Sequence, residues 1–504
     1  MSCLRSGKGG TEMKRNPSNQ KKDSINQTVQ FQVLNEIQCI KMADAAFHIL
    51  EHTGCCMKNE RAREILKAHG CSVEGERVKI PETLVHKCLK TIPREIAIYD
   101  REGNPAMVLG SHTGNSYFVP GMCNFYRIDV ETGERRPAVK KDTFDTGLLV
   151  EALPNIDMAC GLTLISDCEP ELAAAYEARE LLEATAKPVL LMTTNLLEIE
   201  TTYRLCCEVA GGEENFRKKP FAVAGASATS PLTHNAENVE TLLFMFEKGI
   251  PTPYIAAPMT GATAPVTLAG AVALGIADNL VGMVLSQLVN PGCPLMGSCF
   301  IDMMDMQTTS FAMTAPELSL GGAASADIYR YLGIPCVCHM GMTDSCVFDQ
   351  QAAMDVTAQL YTAMLSGANL NFFSGFLETA MSGSLEVLYF ANDLVEYLNH
   401  IIGGMEISEE TLALDVIDEV GPEGNFLSEE HTLEHYQENW KPGTLARQNW
   451  ASFTENGSKD YKERANEAVK KILSGGVRRP LAQETRKRLD EIMAKASETL
   501  HRQK

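Results

Sequence analysis

Residues 220–258 read PFAVAGASATSPLTHNAENVETLLFMFEKGIPTPYIAAP and contain one complete strand–loop–helix–strand unit. The apolar runs PFAVAGA (220–226) and TPYIAAP (252–258) are short and begin beside a proline, which is typical of buried strands. Between them, AENVETLLFMFEKG (236–249) has the apolar spacing of an amphipathic helix. A strand, a helix and a second strand in succession indicate a parallel α/β fold.

The same alternation continues along the chain on both sides of this unit. Strand-like runs recur at intervals of about thirty to forty residues. The runs are SYFVPGM (116–122), NIDMACGLT (155–163), PVLLMTT (188–194), PFAVAGA (220–226), TPYIAAP (252–258), CPLMGSCFI (293–301), IPCVCHMG (334–341) and NLNFFSG (369–375). Eight strand–helix units predict a (β/α)8 TIM barrel. A doubly wound open sheet is the alternative, but it normally shows a GxGxxG turn after its first strand, and this sequence has none.

Additions to the barrel are predicted at both ends of the chain. We expect a disordered tail (1–30), a helical N-terminal segment with a small β extension (31–110), the barrel (111–404) and a helical C-terminal extension (405–504). The stretch DVETGERRPAV (129–139), with Thr132 and Gly133 at its turn, predicts a hairpin inserted after the first barrel strand.

Composition excludes several classes of protein. The chain has 45 Lys and Arg against 65 Asp and Glu, a net charge of −20, and no basic face for nucleic acid. Between Lys248 and Asp302 only Asp278 is charged, yet prolines and glycines interrupt this stretch, which favours buried barrel wall over a membrane span. The first thirty residues are polar and lack the apolar core of a signal peptide. With sixteen cysteines, this predicts a cytoplasmic protein.

The predicted strand ends indicate which chemistry the barrel supports, because barrel enzymes place their active sites there. No lysine lies at a strand end, which argues against a Schiff-base aldolase, and no arginine cluster is present for a phosphate. The ends carry hydroxyls, amides, thioethers and aromatic rings, with Asp167, Asp344 and Glu378 as the acids. This combination of side chains suits a large, weakly hydrated organic cation.

The stretch ANLNFFSGFLE (368–378) contributes most of the aromatic rings. Quaternary ammonium groups donate no hydrogen bond, so proteins bind them with aromatic faces and nearby negative charge. Alternation along a strand sends Phe372 and Phe373 to opposite sides, so we expect only one of them at the mouth, together with Phe376. Core packing of all three rings is the alternative. The predicted substrate-binding residues are Tyr117, Phe125, His339, Asp344, Phe372, Phe376 and Glu378.

Four stretches of the chain resemble the trimethylamine methyltransferase superfamily. They are GMTDSCVFDQQAA (341–353), LSGANLNFFSGFLE (365–378), EISEETLALDVIDEVGPEGNFLSEEHTLEHYQENW (406–440) and DYKERANEAVKKIL (460–473). The resemblance extends over nearly the whole chain from about residue 33. It implies a barrel that moves a methyl group from an amine to the cobalt of a separate corrinoid-binding protein. It assigns no catalytic residue, metal site or tightly bound cofactor.

One departure from the family pattern narrows the expected donor. The founding members contain pyrrolysine in a loop that resembles Met340–Cys346, and this sequence contains none. A tertiary amine must be activated before it gives up a methyl group, whereas a quaternary amine already carries a positive nitrogen. We therefore predict a quaternary-amine:corrinoid methyltransferase of methylotrophic or acetogenic one-carbon metabolism, with a donor such as glycine betaine, proline betaine or carnitine. A homo-oligomer is compatible with the sequence.

A betaine also needs a site for its carboxylate. The sequence leaves several hydroxyl, imidazole and guanidinium groups open for this role: Ser227, Thr229, Ser298, His339, Arg127, Arg135 and Arg136.

Three alternatives to this prediction remain: two possible zinc sites, and a barrel that binds betaines without catalysis. Cys336, Cys338 and His339 could bind zinc in a zinc-dependent barrel methyltransferase, but strand alternation points His339 away from the two thiols. His431 and His435 match the HxxEH pattern and would share a helix face, yet they lie far in sequence from every strand end. A barrel that binds betaines without catalysis would carry the same aromatic cage.

Overall fold

The computed structural model describes residues 31–503 and contains the predicted parallel barrel. Seven strands form one sheet in which neighbours follow chain order and the last strand pairs with the first, Leu370 opposite Tyr117. The strands are Tyr117–Pro120, Val189–Met192, Ala222–Ser227, Thr252–Ile255, Leu295–Ser298, Cys336–His339 and Leu370–Ser374. They occupy barrel positions one and three to eight, so the prediction of the fold is confirmed. The predicted disordered tail lies outside the described residues.

An irregular segment fills the second barrel position. Asp157 donates its N–H to the carbonyl of Phe118 (2.8 Å), and its carboxylate accepts the N–H of Phe118 (2.9 Å). On the other side, Ala159 forms a parallel bridge with Val189 of the third strand. Leu162 has a φ of 65°, and Leu162–Thr163 forms a short parallel strand with Met122–Asn124. The barrel therefore closes, but its second position is held partly by a side chain.

Glu177 supports this segment from behind. Its Oε1 accepts the N–H of Gly161 at 2.6 Å, and the thiol of Cys160 lies 3.6 Å from the same oxygen. Burial raises the pKa of Glu177 to about 7, an effect that the two hydrogen bonds oppose and the charge of Glu198 increases. A buried carboxyl group with a raised pKa thus holds the second barrel segment.

A helix follows each barrel position and packs on the outside of the sheet. These helices are Lys140–Ala152, Ala173–Ala184, Leu196–Val209, Ala236–Lys248, Leu268–Val289, Pro316–Leu332, Gln350–Ser366 and Leu385–Ile402, with a short helix Glu213–Lys218 after the third. Among the described residues, Leu268–Val289 alone has the length and apolarity of a membrane span, and 83% of its most apolar window is buried in the protein. Gly282 of this helix packs against the ring of Tyr254 in the fifth strand. The stretch is therefore barrel wall, as the sequence indicates.

The N-terminal region contains three helices (Glu36–His48, Glu60–Ala68 and Glu82–Leu89), a π-helical turn (Ile49–Thr53) and a small sheet (Cys55–Met57, Ser72–Glu74 and Arg77–Lys79). A strand from the loop after the fourth barrel strand, Thr233–His234, pairs with this sheet.

The small β extension is a hairpin of Glu95–Tyr99 and Pro105–Gly110. Tyr99 and Arg101 donate their N–H groups to the carbonyls of Pro220 and Ala186, which directly precede the fourth and third strands. The hairpin therefore lies at the N-terminal ends of the barrel strands.

The predicted insertion after the first strand is also a hairpin, with strands Tyr126–Ile128 and Arg135–Pro137 and Gly133 at a φ of 72° in its turn.

The C-terminal region belongs to two compact units. Tyr397–Lys441 forms one unit, with short helices Glu409–Leu412, Leu414–Val420, Phe426–Ser428 and Glu430–His435. The remaining described residues form the other, which includes Trp450–Glu455, Tyr461–Ser474 and Gln483–Gln503.

Replacing Glu177 by Gln should flatten part of the pH dependence of stability. The unfolded carboxyl ionises near its ordinary value of 4.5 and the folded one at about 7, so the unfolded state holds fewer protons between these values. The stability that Glu177 contributes is present below pH 4.5 and is lost as the pH rises to 7, a change on the order of 3 kcal/mol. Denaturant titrations from pH 4.5 to 8 should show this slope in the native protein but not in Glu177→Gln. Parallel curves for the two proteins would contradict the assignment.

Candidate active site

Five aromatic side chains meet at the C-terminal ends of the sixth, seventh and eighth strands. The rings of Phe300 and His339 are stacked, with centroids 4.4 Å apart. The edges of Phe372 and Phe373 contact Phe300, at centroid distances of 5.9 and 5.6 Å. Phe373 in turn stacks on Phe376 at 4.8 Å. These five residues, which we call the aromatic cluster, come from three neighbouring strand ends.

The prediction that Phe372 and Phe373 face opposite sides of the strand is wrong. Phe373 has a φ of 82°, in the left-handed region, and this interrupts the alternation that a regular strand imposes. Both rings consequently contact Phe300. Phe373 is the most exposed of the phenylalanines in the cluster, at 9%. The left-handed backbone of Phe373 thus adds a fifth ring to the aromatic cluster.

Phe376 connects the cluster with the first strand. A Cβ atom at Gly121 would lie 1.4 Å from the ring of Phe376, so only glycine leaves room for the ring. Gly121 also donates its N–H to the carbonyl of Ser374 (3.3 Å). Phe376 is fully buried at this seam, as is Phe372 within the cluster.

An acidic side chain that the sequence analysis missed lies beside the cluster. Oδ1 of Asp302 is 3.3 Å from Nε2 of His339, an ion-pair distance without hydrogen-bond geometry. His339 is buried, and its Nδ1 has no hydrogen-bond partner among the described residues. The side chain of Asp302 remains 15% exposed. Asp302 directly follows the predicted strand CPLMGSCFI, and this position is the signal that could have identified it.

The loop after the eighth strand is strained. Glu378, Thr379 and Ala380 have φ values of 54°, 52° and 61°, a left-handed turn closed by a hydrogen bond from the N–H of Met381 to the carbonyl of Glu378 (3.0 Å). Each such residue costs about 1–2 kcal/mol relative to the right-handed conformation. Strain of this kind concentrates at functional sites, where the surrounding structure maintains it.

Two predicted site acids maintain this loop. Glu378 forms an ion pair with Arg135 of the hairpin (2.7 Å) and accepts a hydrogen bond from Ser382 (2.5 Å). Asp344 accepts hydrogen bonds from Thr379 (3.1 Å), from the N–H of Met313 and from Thr314. Both carboxylates therefore hold the loops around the mouth together.

The structure places two predicted aromatic residues away from the cluster. The hydroxyl of Tyr117 accepts a hydrogen bond from the N–H of Val108, in the hairpin at the N-terminal ends of the strands (3.3 Å). Phe125 is 55% exposed and makes no ring contact with the cluster.

Most candidates for a carboxylate site are engaged elsewhere. Arg127 is buried, with Thr146 at 3.5 Å and the charge of Asp142 nearby. Arg136 binds both oxygens of Asp142, at 2.7 and 2.8 Å. The hydroxyl of Thr229 accepts a hydrogen bond from Asn235, whereas Ser227 accepts one from Asn238 through its backbone carbonyl.

Ser298, like His339, differs from these engaged candidates. Its Oγ is buried and has no hydrogen-bond partner among the described residues. The preceding residue, Gly297, packs against Tyr329 of an outer helix, so alternation directs Ser298 and Phe300 into the barrel. Ser298 thus presents a free hydroxyl two residues from an aromatic ring of the cluster.

The strand cysteines and His339 point in different directions, as the alternation predicts. The thiol of Cys338 donates to the carbonyl of Gly322 in an outer helix (3.5 Å), and Cys336 lies on the same face. His339 instead stacks on Phe300 inside the barrel. The three residues do not converge on a common point.

A cavity of about 470 Å³ lies between the inserted hairpin, the loop Cys346–Phe348 and the helix Tyr461–Ser474. Its walls carry seven charged side chains, three basic and four acidic: Lys459, Lys462, Lys470, Glu131, Glu386, Glu463 and Glu467. No residue of the aromatic cluster lines it. The cavity suits a hydrated polar group rather than an ammonium ion that cannot donate hydrogen bonds.

The sequence of this chain is similar to a known family and to several of its characterised members. The family model described as "Trimethylamine methyltransferase (MTTB)" matches residues 5–500. A trimethylamine methyltransferase MttB of Desulfitobacterium hafniense is 29% identical over 420 residues, which cover 82% of this chain and 84% of that relative. A glycine betaine methyltransferase of the same species is 27% identical over 422 residues, covering 83% of this chain and 87% of that relative.

A solved structure supports the fold alone. The crystal structure of the monomethylamine methyltransferase (MtmB) of Methanosarcina barkeri aligns with a TM-score of 0.53 and 12% identity, over 91% of each chain.

Gly121→Ala should destabilise the protein by about 1–3 kcal/mol, because the added methyl group displaces the ring of Phe376. Urea denaturation measures the change, and Gly443→Ala is the control, since a Cβ there meets nothing within 4 Å. The same Gly121→Ala change should cost much less in a Phe376→Ala background. An equal cost in both backgrounds would show that the clash is not with Phe376.

Proposed function

Since the chain belongs to the trimethylamine methyltransferase family, we propose that it transfers a methyl group from a quaternary amine to a corrinoid carried by a separate protein. The donor is of the betaine class, which includes glycine betaine, proline betaine and carnitine. The corrinoid supplies Co(I) as the nucleophile, and this chain supplies the amine site. We also propose a cytoplasmic location, where a Co(I) partner is kept reduced.

The observation that carries this proposal is the aromatic cluster with Asp302 beside it. An aromatic face contributes about 0.5–2 kcal/mol to binding of a cation, more where water is excluded. Phe373 offers the most exposed ring of the cluster, and Asp302 lies against His339, whose ring is edge-on to Phe373 at 6.0 Å. A trimethylammonium group would meet rings and a carboxylate together, with Phe372, Phe376 and Phe300 packed behind them.

The transfer needs little acid–base chemistry from the protein. The N–CH3 bond breaks, its electron pair stays on nitrogen, and the methyl carbon bonds to cobalt with the electron pair of Co(I). A neutral tertiary amine leaves, so no proton has to be delivered. The residues of the mouth therefore have to desolvate the cation, orient one methyl group outward and exclude water. The loops that Asp344 and Glu378 hold together provide this fixed surface.

We propose Ser298 as a donor to the carboxylate of the betaine. Two residues of a strand span about 6.6 Å, which is compatible with the short distance between the ammonium and carboxylate groups of a betaine. A hydrogen bond to the carboxylate would also satisfy the free hydroxyl of Ser298.

The proposed activity can be measured with reduced cobalamin, either free or bound to a corrinoid protein. Its absorption spectrum should change from the Co(I) form to the methylated form when the enzyme and a betaine are added. Trimethylamine serves as the control donor, because its nitrogen is tertiary and lacks the fourth carbon substituent of a quaternary amine. Binding of betaines without any spectral change would instead support a non-catalytic betaine-binding barrel.

Asp302→Asn should weaken binding of tetramethylammonium and glycine betaine about tenfold, or ~1.4 kcal/mol, because a negative charge beside the cluster is removed. Isothermal titration measures the affinity. Asp305→Asn is the matched control, since this carboxylate lies in the same loop, is partly exposed and accepts a hydrogen bond from Thr308. Equal effects of the two changes would mean that Asp302 does not act locally on the cation.

Ser298→Ala should weaken binding of the carboxylate of a betaine without affecting binding of its ammonium group. We expect a loss of about 1–3 kcal/mol in the affinity for glycine betaine, because a buried carboxylate loses a hydrogen-bond donor. The affinity for tetramethylammonium, which has no carboxylate, should stay unchanged when it is measured by isothermal titration in the same way. A parallel loss for both ligands would assign Ser298 to general packing.

A further inference from the structure

Three side chains with metal-binding atoms converge in the unit Tyr397–Lys441. The ligating atoms of Glu410, His431 and His435 all lie within 4.8 Å of one another. In the part of the chain that the structure describes, no other group of three His, Cys, Asp or Glu side chains meets this criterion. The group is far in sequence from the strand ends that form the mouth.

Local structure explains how the two histidines come together. They are one turn apart on the helix Glu430–His435 and therefore share a face, with ring centroids 4.4 Å apart. Glu410 comes from a second helix, Glu409–Leu412, whose start is fixed by a hydrogen bond from the N–H of Thr411 to Ser408.

The orientation of His435 is set from both sides. Its Nδ1 lies 2.8 Å from Oε1 of Glu438, and its Nε2 lies 3.3 Å from Oε1 of Glu410. A carboxylate on one ring nitrogen holds the imidazole so that the other nitrogen points to the metal, as in many zinc sites. Glu438 thus orients the imidazole of His435, and Nε2 of His435 faces the carboxylate of Glu410.

We propose that Glu410, His431 and His435 bind one zinc ion. Two imidazoles and one carboxylate are a common zinc donor set, with water in the fourth position. The ion would connect two helices, Glu409–Leu412 and Glu430–His435, neither of which buries a side chain. Metal coordination would replace the apolar contacts that hold larger helices together. The HxxEH pattern then marks a zinc site that connects two helices of the unit Tyr397–Lys441.

The experiment is a zinc titration of the full chain after treatment with a chelator. Metal content per chain is measured after gel filtration, and affinity is measured by calorimetry, both with zinc chloride alone. The variant with His431→Ala and His435→Ala should bind one zinc ion fewer than the native protein. Zinc should also slow proteolysis within residues 405–440 of the native protein but not of the variant.

Two further variants keep the test decisive if the double variant folds poorly. Glu410→Gln removes one ligand without replacing either histidine, and should lower zinc affinity at least tenfold. His400→Ala removes an exposed histidine of the same unit and should leave zinc binding unchanged. Equal zinc content and affinity in the native protein, the double variant and Glu410→Gln would overturn the proposal, as would a native protein that binds no zinc.

Discussion

Closure of the barrel is the constraint on which the rest of the structure depends. A sheet that closes on itself has no edge strand whose N–H and carbonyl groups need other partners. Here the first and third strands meet through an irregular segment, in which Asp157 pairs with Phe118 and Ala159 bridges to Val189. Because the sheet closes, the eighth strand lies beside the first, and Phe376 can occupy the space above Gly121. The aromatic mouth is a consequence of this closure.

Backbone strain is concentrated where the proposed chemistry takes place. The left-handed residues Phe373, Glu378, Thr379 and Ala380 all belong to the end of the eighth strand or to the loop after it. Asp344 and Arg135, from neighbouring loops, bond to this segment and maintain its conformation. A loop that costs conformational energy and is held from several sides can present a rigid ring to a ligand with little loss of entropy on binding.

The acids of this protein have distinct roles according to their surroundings. Glu177 is buried behind the second barrel segment, where burial raises its pKa to about 7, and it accepts a hydrogen bond from that segment. Asp344 and Glu378 are engaged by several donors and stabilise loops. Asp302 faces only an imidazole in the aromatic cluster and keeps part of its side chain exposed. Of these four, Asp302 is the one suited to meeting a cation from solution.

The sequence alone determined the architecture, because hydrophobic periodicity and prolines at strand starts depend on each residue's near neighbours. It predicted the barrel strands, the inserted hairpin, and the opposite directions of Cys338 and His339. It missed the conformation of Phe373, since an alternating pattern carries no information on a left-handed residue that surrounding contacts impose. It also missed the pairing of Asp302 with His339 and of Glu410 with His435, residues that are remote along the chain. Only the tertiary structure decided these pairs, because they arise where the ends of separate elements are brought side by side.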